Sequence, residues 1–314
     1  MTASQASAHR PSAAPDLRGA PARRRREAIV RSLFLAGAAT SVLISLLIVA
    51  VLVEEAWRFI SQVDLSLLVS QGWLPRRGQY DLATVLAGTL VVAGVGMVVA
   101  TPLGLAAAIY LSEYASPARR RLLKPILEVL AGIPSVVLGF YAIAVLAPAI
   151  VQPLCGSNSI FSLGAAGIGV GILIVPLIAS VAEDAMHAVP SSLREASYGL
   201  GARKRSTSVR IVVPAAVSGI AAALILGVSR AIGETMIVAI AAGAVGGSTF
   251  TINPCYPGQT LTAAMTALAT GSDQARGDAL AYPSLFFLGL TLFVLTLGLN
   301  VFSERFVRKY RRAI

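Results

Sequence analysis

Residues 82–112 read LATVLAGTLVVAGVGMVVATPLGLAAAIYLS, thirty-one positions without one acidic or basic side chain. A helix needs about 20 apolar residues to cross the hydrocarbon core of a bilayer, so this stretch can cross with tilt. Other segments follow the same pattern. Ser32–Val53 is free of charge. Val129–Ala182 is also charge-free and holds two helices, parted where turn residues cluster at Pro153-Leu154-Cys155-Gly156-Ser157-Asn158. Ile211–Gly246 is interrupted only by Arg230 and Glu234, and Tyr282–Ser303 completes the set. Strands of a β-barrel would be short and alternating, and these runs are long and continuous. The expectation is an all-α membrane protein with six transmembrane helices.

Composition agrees. Of 314 residues, 56% are hydrophobic and 13% charged, against about 25% charged in soluble chains. So few charges cannot cover a water-facing surface. A soluble enzyme, a secreted disulfide scaffold, a fibrous protein and a mainly disordered chain are excluded. The net charge of +11 is a topology signal rather than a mark of nucleic-acid binding. Seven of the 26 Lys and Arg residues lie in positions 1–31, four at Arg119–Lys124, five from Arg194 to Arg210 and five from Arg305 onward. For a six-span chain all of these segments fall on one side. Only Arg58, Arg76, Arg77 and Arg276 fall on the other, and Arg230 lies within a span. Positive residues stay inside, so both termini are expected to be cytoplasmic and the protein to be multi-pass in the plasma or inner membrane. Residues 1–31, rich in Ala, Pro, Ser and Arg, read as a disordered basic tail, and 32–310 as the membrane domain. Arg23–Arg26 before an apolar run reads as an uncleaved first helix, attracted to anionic lipid.

No phosphate-cradling GxxxxGK[ST] loop is present, so the chain does not hydrolyse ATP through one. Nor is there a metal-spaced Cys/His set, a cofactor motif or a nucleophile elbow. No catalytic residue, metal or cofactor is expected. Cys155 and Cys255 both fall in outer loops, where they form either a disulfide or two free thiols. Trp57 and Trp73 suit interfacial anchoring.

Residues 188–213, AVPSSLREASYGLGARKRSTSVRIVV, form a polar, basic stretch between spans four and five. Ser191 or Ser192 can cap a helix beginning near Leu193. Gly199 and Gly201 end or bend it, and Pro214 sits where a new helix would start. The product is a short cytoplasmic helix tied to two membrane helices, either a plain connector or a lever for a soluble partner. Glu195-Ala196-Ser197, then three residues to Gly201 and nine to Ile211-Val212-Val213-Pro214, resembles the E-A-A…G…I-x-L-P motif of ATP-binding-cassette importer permeases. The resemblance implies that Glu195, Ala196 and Gly201, with Pro214 behind them, form a coupling loop that contacts a separate ATPase subunit.

Inside span five, Ser229-Arg230-Ala231-Ile232-Gly233-Glu234-Thr235-Met236 places Arg230 and Glu234 four apart, on one face of a continuous helix. Charges at mid-membrane cost about 2.5–3.5 kcal/mol each on insertion scales, so both should face the bundle interior or an aqueous path. They either pin helices together or line an anion pathway, for which the donor fork of Arg is suited. A carboxylate beside it would accept a hydrogen bond from the hydroxyl that hydrogen phosphate keeps, whereas sulfate has no proton to donate.

The stretch RAIGET is similar to the R-A-x-G-E-T segment of phosphate-specific importer permeases. Pro102-Leu103-Gly104 with Ala108-Ile109-Tyr110-Leu111 and Glu113-Tyr114, then Leu130-Ala131-Gly132-Ile133-Pro134-Ser135-Val136-Val137 and Glu183-Asp184-Ala185, are similar to further signatures of that family. The likeness is closer to its C-type than to its A-type subunit and covers about residues 65–310. It implies the ABC importer permease fold, a substrate pathway through Arg230 and Glu234, and inorganic phosphate as substrate. The implied partners are an A-type permease subunit, an ATP-binding subunit dimer and an extracytoplasmic phosphate-binding protein, within the lipid bilayer and without nucleic acid. The competing readings are a secondary anion transporter, a permease for another oxyanion, and a membrane scaffold in which the charged pair is only structural.

Overall fold

The structure is a computed structural model that describes residues 21–69, 72–156, 158–243, 247–271 and 279–311. Its contacts divide the chain into two units, Met1–Val51 and Leu52–Ile314. In the first unit the described residues are helical and almost wholly exposed. They belong to helix α1, Pro21–Gln62, which starts well before the expected Ser32. Pro is favoured in the first helical turn, and the Ala, Arg and Glu residues after it are good helix formers. Part of the segment read as disordered is therefore helical, and residues 1–20 lie outside the described residues.

The second unit contains the bundle. A two-strand hairpin, β1 (Trp73–Leu74) and β2 (Gln79–Tyr80), pairs antiparallel. Helix α2 (Leu82–Ile109) follows, with Asp81 as its cap: Oδ1 accepts from Ala83 N at 3.0 Å and Oδ2 from Thr84 Oγ1 at 2.8 Å. A wide π-type turn, Tyr110–Tyr114, extends it. Next come α3 (Pro117–Ala131), α4 (Ser135–Cys155) and α5 (Leu163–His187). Then follow the short α6 (Ser191–Gly199), α7 (Lys204–Ala215) and α8 (Val217–Ile232). The short α9 (Met236–Ala241), α10 (Leu261–Thr270) and the long α11 (Ala281–Arg311) complete the unit. Among the described residues, five helices are long and apolar enough to span a bilayer, and the bent pair α7–α8 makes a sixth.

Span five departs from the expected continuous helix. Pro214 lies near the end of α7, and the helix that enters the bundle starts only at Val217. Between α7 and α8 the axis turns by 71°. Proline lacks the amide that would bond one turn back, and the preceding Ser208–Val212 turn is already widened to π geometry. A second break follows at Gly233–Thr235. The sixteen residues of α8 span about 24 Å, short of a bilayer core. The segment 247–281, expected as an outer loop, contains α10; Thr260 caps it by accepting from Ala263 N at 3.2 Å. Trp73 is also not an interfacial anchor. It is buried with Tyr80 and Phe59 in an aromatic cluster, its ring centroid 5.8 Å from that of Tyr80. Trp57 is exposed.

Helix α5 is the centre of the bundle, with sixteen buried residues. Small residues bring it close to α2. A Cβ added at Gly171 would sit 2.8 Å from the Gly96 carbonyl oxygen, and one at Gly167 would sit 2.7 Å from Val95 Cβ. The same geometry predicts a contrast within α2. Gly88→Ala places its methyl 2.3 Å from the backbone oxygen of Gln259, which cannot step aside, whereas Gly94 has nothing within 4 Å. Gly88→Ala should cost about 1–3 kcal/mol and lower the thermal midpoint in detergent, while Gly94→Ala leaves it unchanged or slightly raised.

Candidate functional site

Ionisable side chains meet in the second unit at two places that bear on the expected sites. One is where α6 meets the C-terminal end of α5. Arg194 of α6 turns inward. Its guanidinium donates to Glu113 Oε1 at 2.9 Å, to the Met186 carbonyl at 2.8 Å and to the Val189 carbonyl at 2.6 Å. Glu113 is buried, Met186 lies in the last turn of α5 and Val189 just past it, so one side chain holds α6 to both the α2 extension and α5. Ser197 is buried as well, its hydroxyl 2.8 Å from that of Thr207, which ties α6 to α7. Serine in place of the second alanine of the motif thus supplies a hydrogen bond. Helix α6 begins at Ser191, two residues before the expected start, on the extended backbone of Pro190 and without a side-chain cap.

The residues expected to couple fall into two groups. Glu195 and Ala196 are exposed beside Tyr198 and Leu200. Gly201 has φ +76°, a left-handed conformation that folds the chain back, so that Ala202 N donates to the Ser197 carbonyl at 3.1 Å. Pro214 is away from that surface, at the bend into α8. Beside this site Glu183, fully buried, pairs with Arg120 at 2.5 Å and with Lys124 at 2.9 Å, and Lys124 also reaches Asp184. Asp184, and Glu183 after it, hold the Lys124 ammonium above its usual range against the opposing effect of burial. These pairs fasten α3 to α5.

The second site is the break after α8. Arg230 and Glu234 do not share one continuous helix, because α8 stops at Ile232. They meet nonetheless, Arg230 Nη2 lying 3.2 Å from Glu234 Oε2. Glu234 is buried, and its other oxygen accepts from the Met236 and Ile237 amides that open α9, at 3.2 and 3.5 Å. The Glu234 carbonyl accepts from Thr262 Oγ1 at 2.6 Å, which binds the break to α10. The carboxylate is thus fully engaged, while the Arg230 side chain is 50% exposed. Of the pair, the arginine is the member open to a ligand. A cavity of about 280 Å³ adjoins the break, lined by Gly233, Thr235, Thr262, Thr266, Leu285 and Leu292 among others. Among the described residues no group of three His, Cys, Asp or Glu is placed to hold a metal ion.

Residues 100–312 match the family described as the binding-protein-dependent transport system inner membrane component. The chain belongs to that family. This inner membrane component is 34% identical over 294 residues to the phosphate transport system permease protein PstC of Mesorhizobium japonicum, covering 87% of this chain and 88% of the relative. It is 31% identical over 293 residues to PstC of Haemophilus influenzae, covering 87% and 91%. A bacterial ABC transporter involved in alginate import has the same fold, with a TM-score of 0.62 at 15% identity over 91% of this chain and 99% of that one. An inward-facing MetNI methionine ABC transporter gives 0.54 at 19% identity over 78% and 97%. As a member of this family the chain is a membrane transport subunit.

Sequence reading placed Glu113 and Glu183 within motifs but gave them no role, and it missed Arg194. Partners 81 and 63 positions away leave no local spacing to detect. The signal present was an acidic residue closing an apolar span, with an arginine in the following loop. Arg194→Ala leaves Glu113 buried without its cation, a loss of about 1–3 kcal/mol. Amide hydrogen exchange of residues 191–199 should speed up by about ten-fold or more, while exchange in the centre of α5 is unchanged. Equal protection in wild type and variant would remove the clamp.

Proposed function

We propose that this chain is the membrane-spanning subunit of an ATP-driven phosphate importer, forming half of a translocation pathway completed by a second permease subunit. The half-exposed Arg230, held at a helix break by a buried and fully engaged Glu234, carries this reading. Relatives named as phosphate permeases, matched over most of the chain, support the substrate. Broken helices that line a cavity are a recurrent feature of transport sites. Arg230 contacts the oxyanion, and Glu234 is a positioning residue that orients the guanidinium.

Coupling runs through bonded elements. Glu195, Ala196 and the neighbouring exposed residues of α6 meet a separate ATPase dimer. Arg194 and Ser197 pass displacement to α2, α5 and α7, and the α7–α8 bend carries it to Arg230. An extracytoplasmic binding protein delivers phosphate. Transport against a gradient requires the site to bind the anion differently in its two states. The basic segments 119–124, 194–210 and 305–312 support an orientation with both termini cytoplasmic.

The test is phosphate uptake into vesicles holding the assembled transporter. Arg230→Ala should raise the half-saturating phosphate concentration about 10- to 100-fold, the worth of a charge-assisted contact, with ATPase association intact. Arg230→Lys should fall between the two. Normal uptake by Arg230→Ala would make the pair structural, and ATP-independent uptake would make the protein a secondary transporter. Equal transport of sulfate would widen the substrate to oxyanions in general.

A further inference from the structure

Gln259 stands just before α10 on backbone that is held from both sides. Gly258 N donates to the Ala242 carbonyl at 3.1 Å, and Leu261 N donates to Thr89 Oγ1 at 3.0 Å. The loop leading to it is pinned by a disulfide between Cys255 and Cys155, at the end of α4, with Cα atoms 5.6 Å apart. The Gln259 residue is only 3% exposed, yet its Oε1 has no hydrogen-bond partner. A buried carbonyl oxygen without a donor costs free energy that an apolar side chain of the same shape would not.

Gln259 lines a cavity of about 170 Å³ between α9 and α10, together with Val238, Ala239, Gly258, Thr266 and Thr270 among others. That is far more than the roughly 10–15 Å³ that admits one water. Its wall is rich in acceptors. Thr266 Oγ1 donates to the Thr262 carbonyl at 2.9 Å, and Thr270 Oγ1 donates to the Thr266 carbonyl at 2.7 Å. Both hydroxyl hydrogens are thereby committed, and the oxygens keep lone pairs to offer. None of the described lining residues is acidic or basic. The terminal torsion of glutamine is soft, so the amide can turn its oxygen or its N–H donors toward the cavity.

The cavity is continuous in its lining with the Arg230 site. Thr266 also lines the cavity of about 280 Å³ beside the break after α8. Thr262, Thr266 and Thr270 follow at four-residue spacing on one face of α10, about 12 Å from first to last. The first of them donates to the Glu234 carbonyl.

We propose that Gln259, Thr266 and Thr270 form a second subsite for the transported anion, one that selects an oxyanion carrying a hydroxyl. This deepens the importer reading and rests on it. Glu234 cannot make the selection, because its oxygens are engaged by Arg230 and by the α9 amides. At the second subsite the glutamine carbonyl and the threonine oxygens accept from the hydroxyl of hydrogen phosphate, while the amide N–H donates to an ionised oxygen. Sulfate has no hydrogen to give, so the same acceptors stay unpaired against it. Arg230 attracts charge, and Gln259 reads the proton.

The complete transporter in lipid nanodiscs tests this by its binding of radiolabelled phosphate, with unlabelled sulfate as competitor, read together with the thermal midpoint. Wild type should bind phosphate about ten-fold or more better than sulfate. Gln259→Leu should weaken phosphate about ten-fold, bring sulfate close to it, and leave the midpoint unchanged or higher, since the unpartnered oxygen is gone. Thr266→Val should shift the preference in the same direction by a smaller factor, and it serves if Gln259→Leu fails to assemble. Arg230→Ala should weaken both anions alike and keep their ratio. Wild-type affinity and preference in Gln259→Leu, or in Thr266→Val where only that variant assembles, overturn the subsite. So does a lowered midpoint with the preference intact, which would make the amide a packing group. A wild type without preference between the anions overturns the selection and leaves the importer standing. One that keeps the preference but takes up phosphate without ATP overturns the importer and leaves the subsite. One that binds no phosphate overturns both.

Discussion

A helix buried along most of its length has little water with which to satisfy its polar groups, and α5, with sixteen of its 25 residues buried, is such a helix. Its first amides have no partner within the helix. They are met by Ser162 Oγ and by the carbonyls of Pro254 and Tyr256. At the other end the buried Glu183 is neutralised by Arg120 and Lys124, and the Met186 carbonyl accepts from Arg194. Both closures draw in segments distant in sequence, Pro254 and Tyr256 at one end and Arg120 and Lys124 at the other, so satisfying α5 also organises the bundle. The outer loop is drawn over one end, and α3 and α6 are fastened to the other.

This arrangement suits a protein that must transmit displacement. Helices α5 and α2 pack through glycine contacts too close to leave slack. The irregular elements surround this rigid pair. They include the 71° bend, the break at Gly233–Thr235 and the π-widened turns at Tyr110–Tyr114, Ala142–Val151 and Ser208–Val212. Wide turns and breaks leave backbone groups without their usual partners, and such places can repack at low cost. The exposed surface of α6 is joined to the break through one of them.

The Arg230–Glu234 pair shows how the two charges divide their roles. Four residues apart, they could have met as neighbours on a helix. Instead the helix stops between them, and Glu234 uses one oxygen to cap the next helix and the other to hold Arg230. The break is capped and the arginine positioned by the same group, while the guanidinium keeps an open side.

The fold class, the spans and the sites of charge were legible in the sequence, because hydrocarbon imposes length and charge rules that each segment must obey alone. The motif from Glu195 to Pro214 and the RAIGET stretch marked both candidate sites for the same reason: their residues are close in sequence. Tertiary structure alone decided the contacts between distant segments. Arg194 finds Glu113, Lys124 finds Glu183, Cys155 joins Cys255, and Thr262 holds the break after α8. It also decided that span five is broken twice. Proline and glycine permit a break anywhere they occur, and whether one forms depends on partners elsewhere that can satisfy the freed backbone groups. Those partners are known only once the helices have packed.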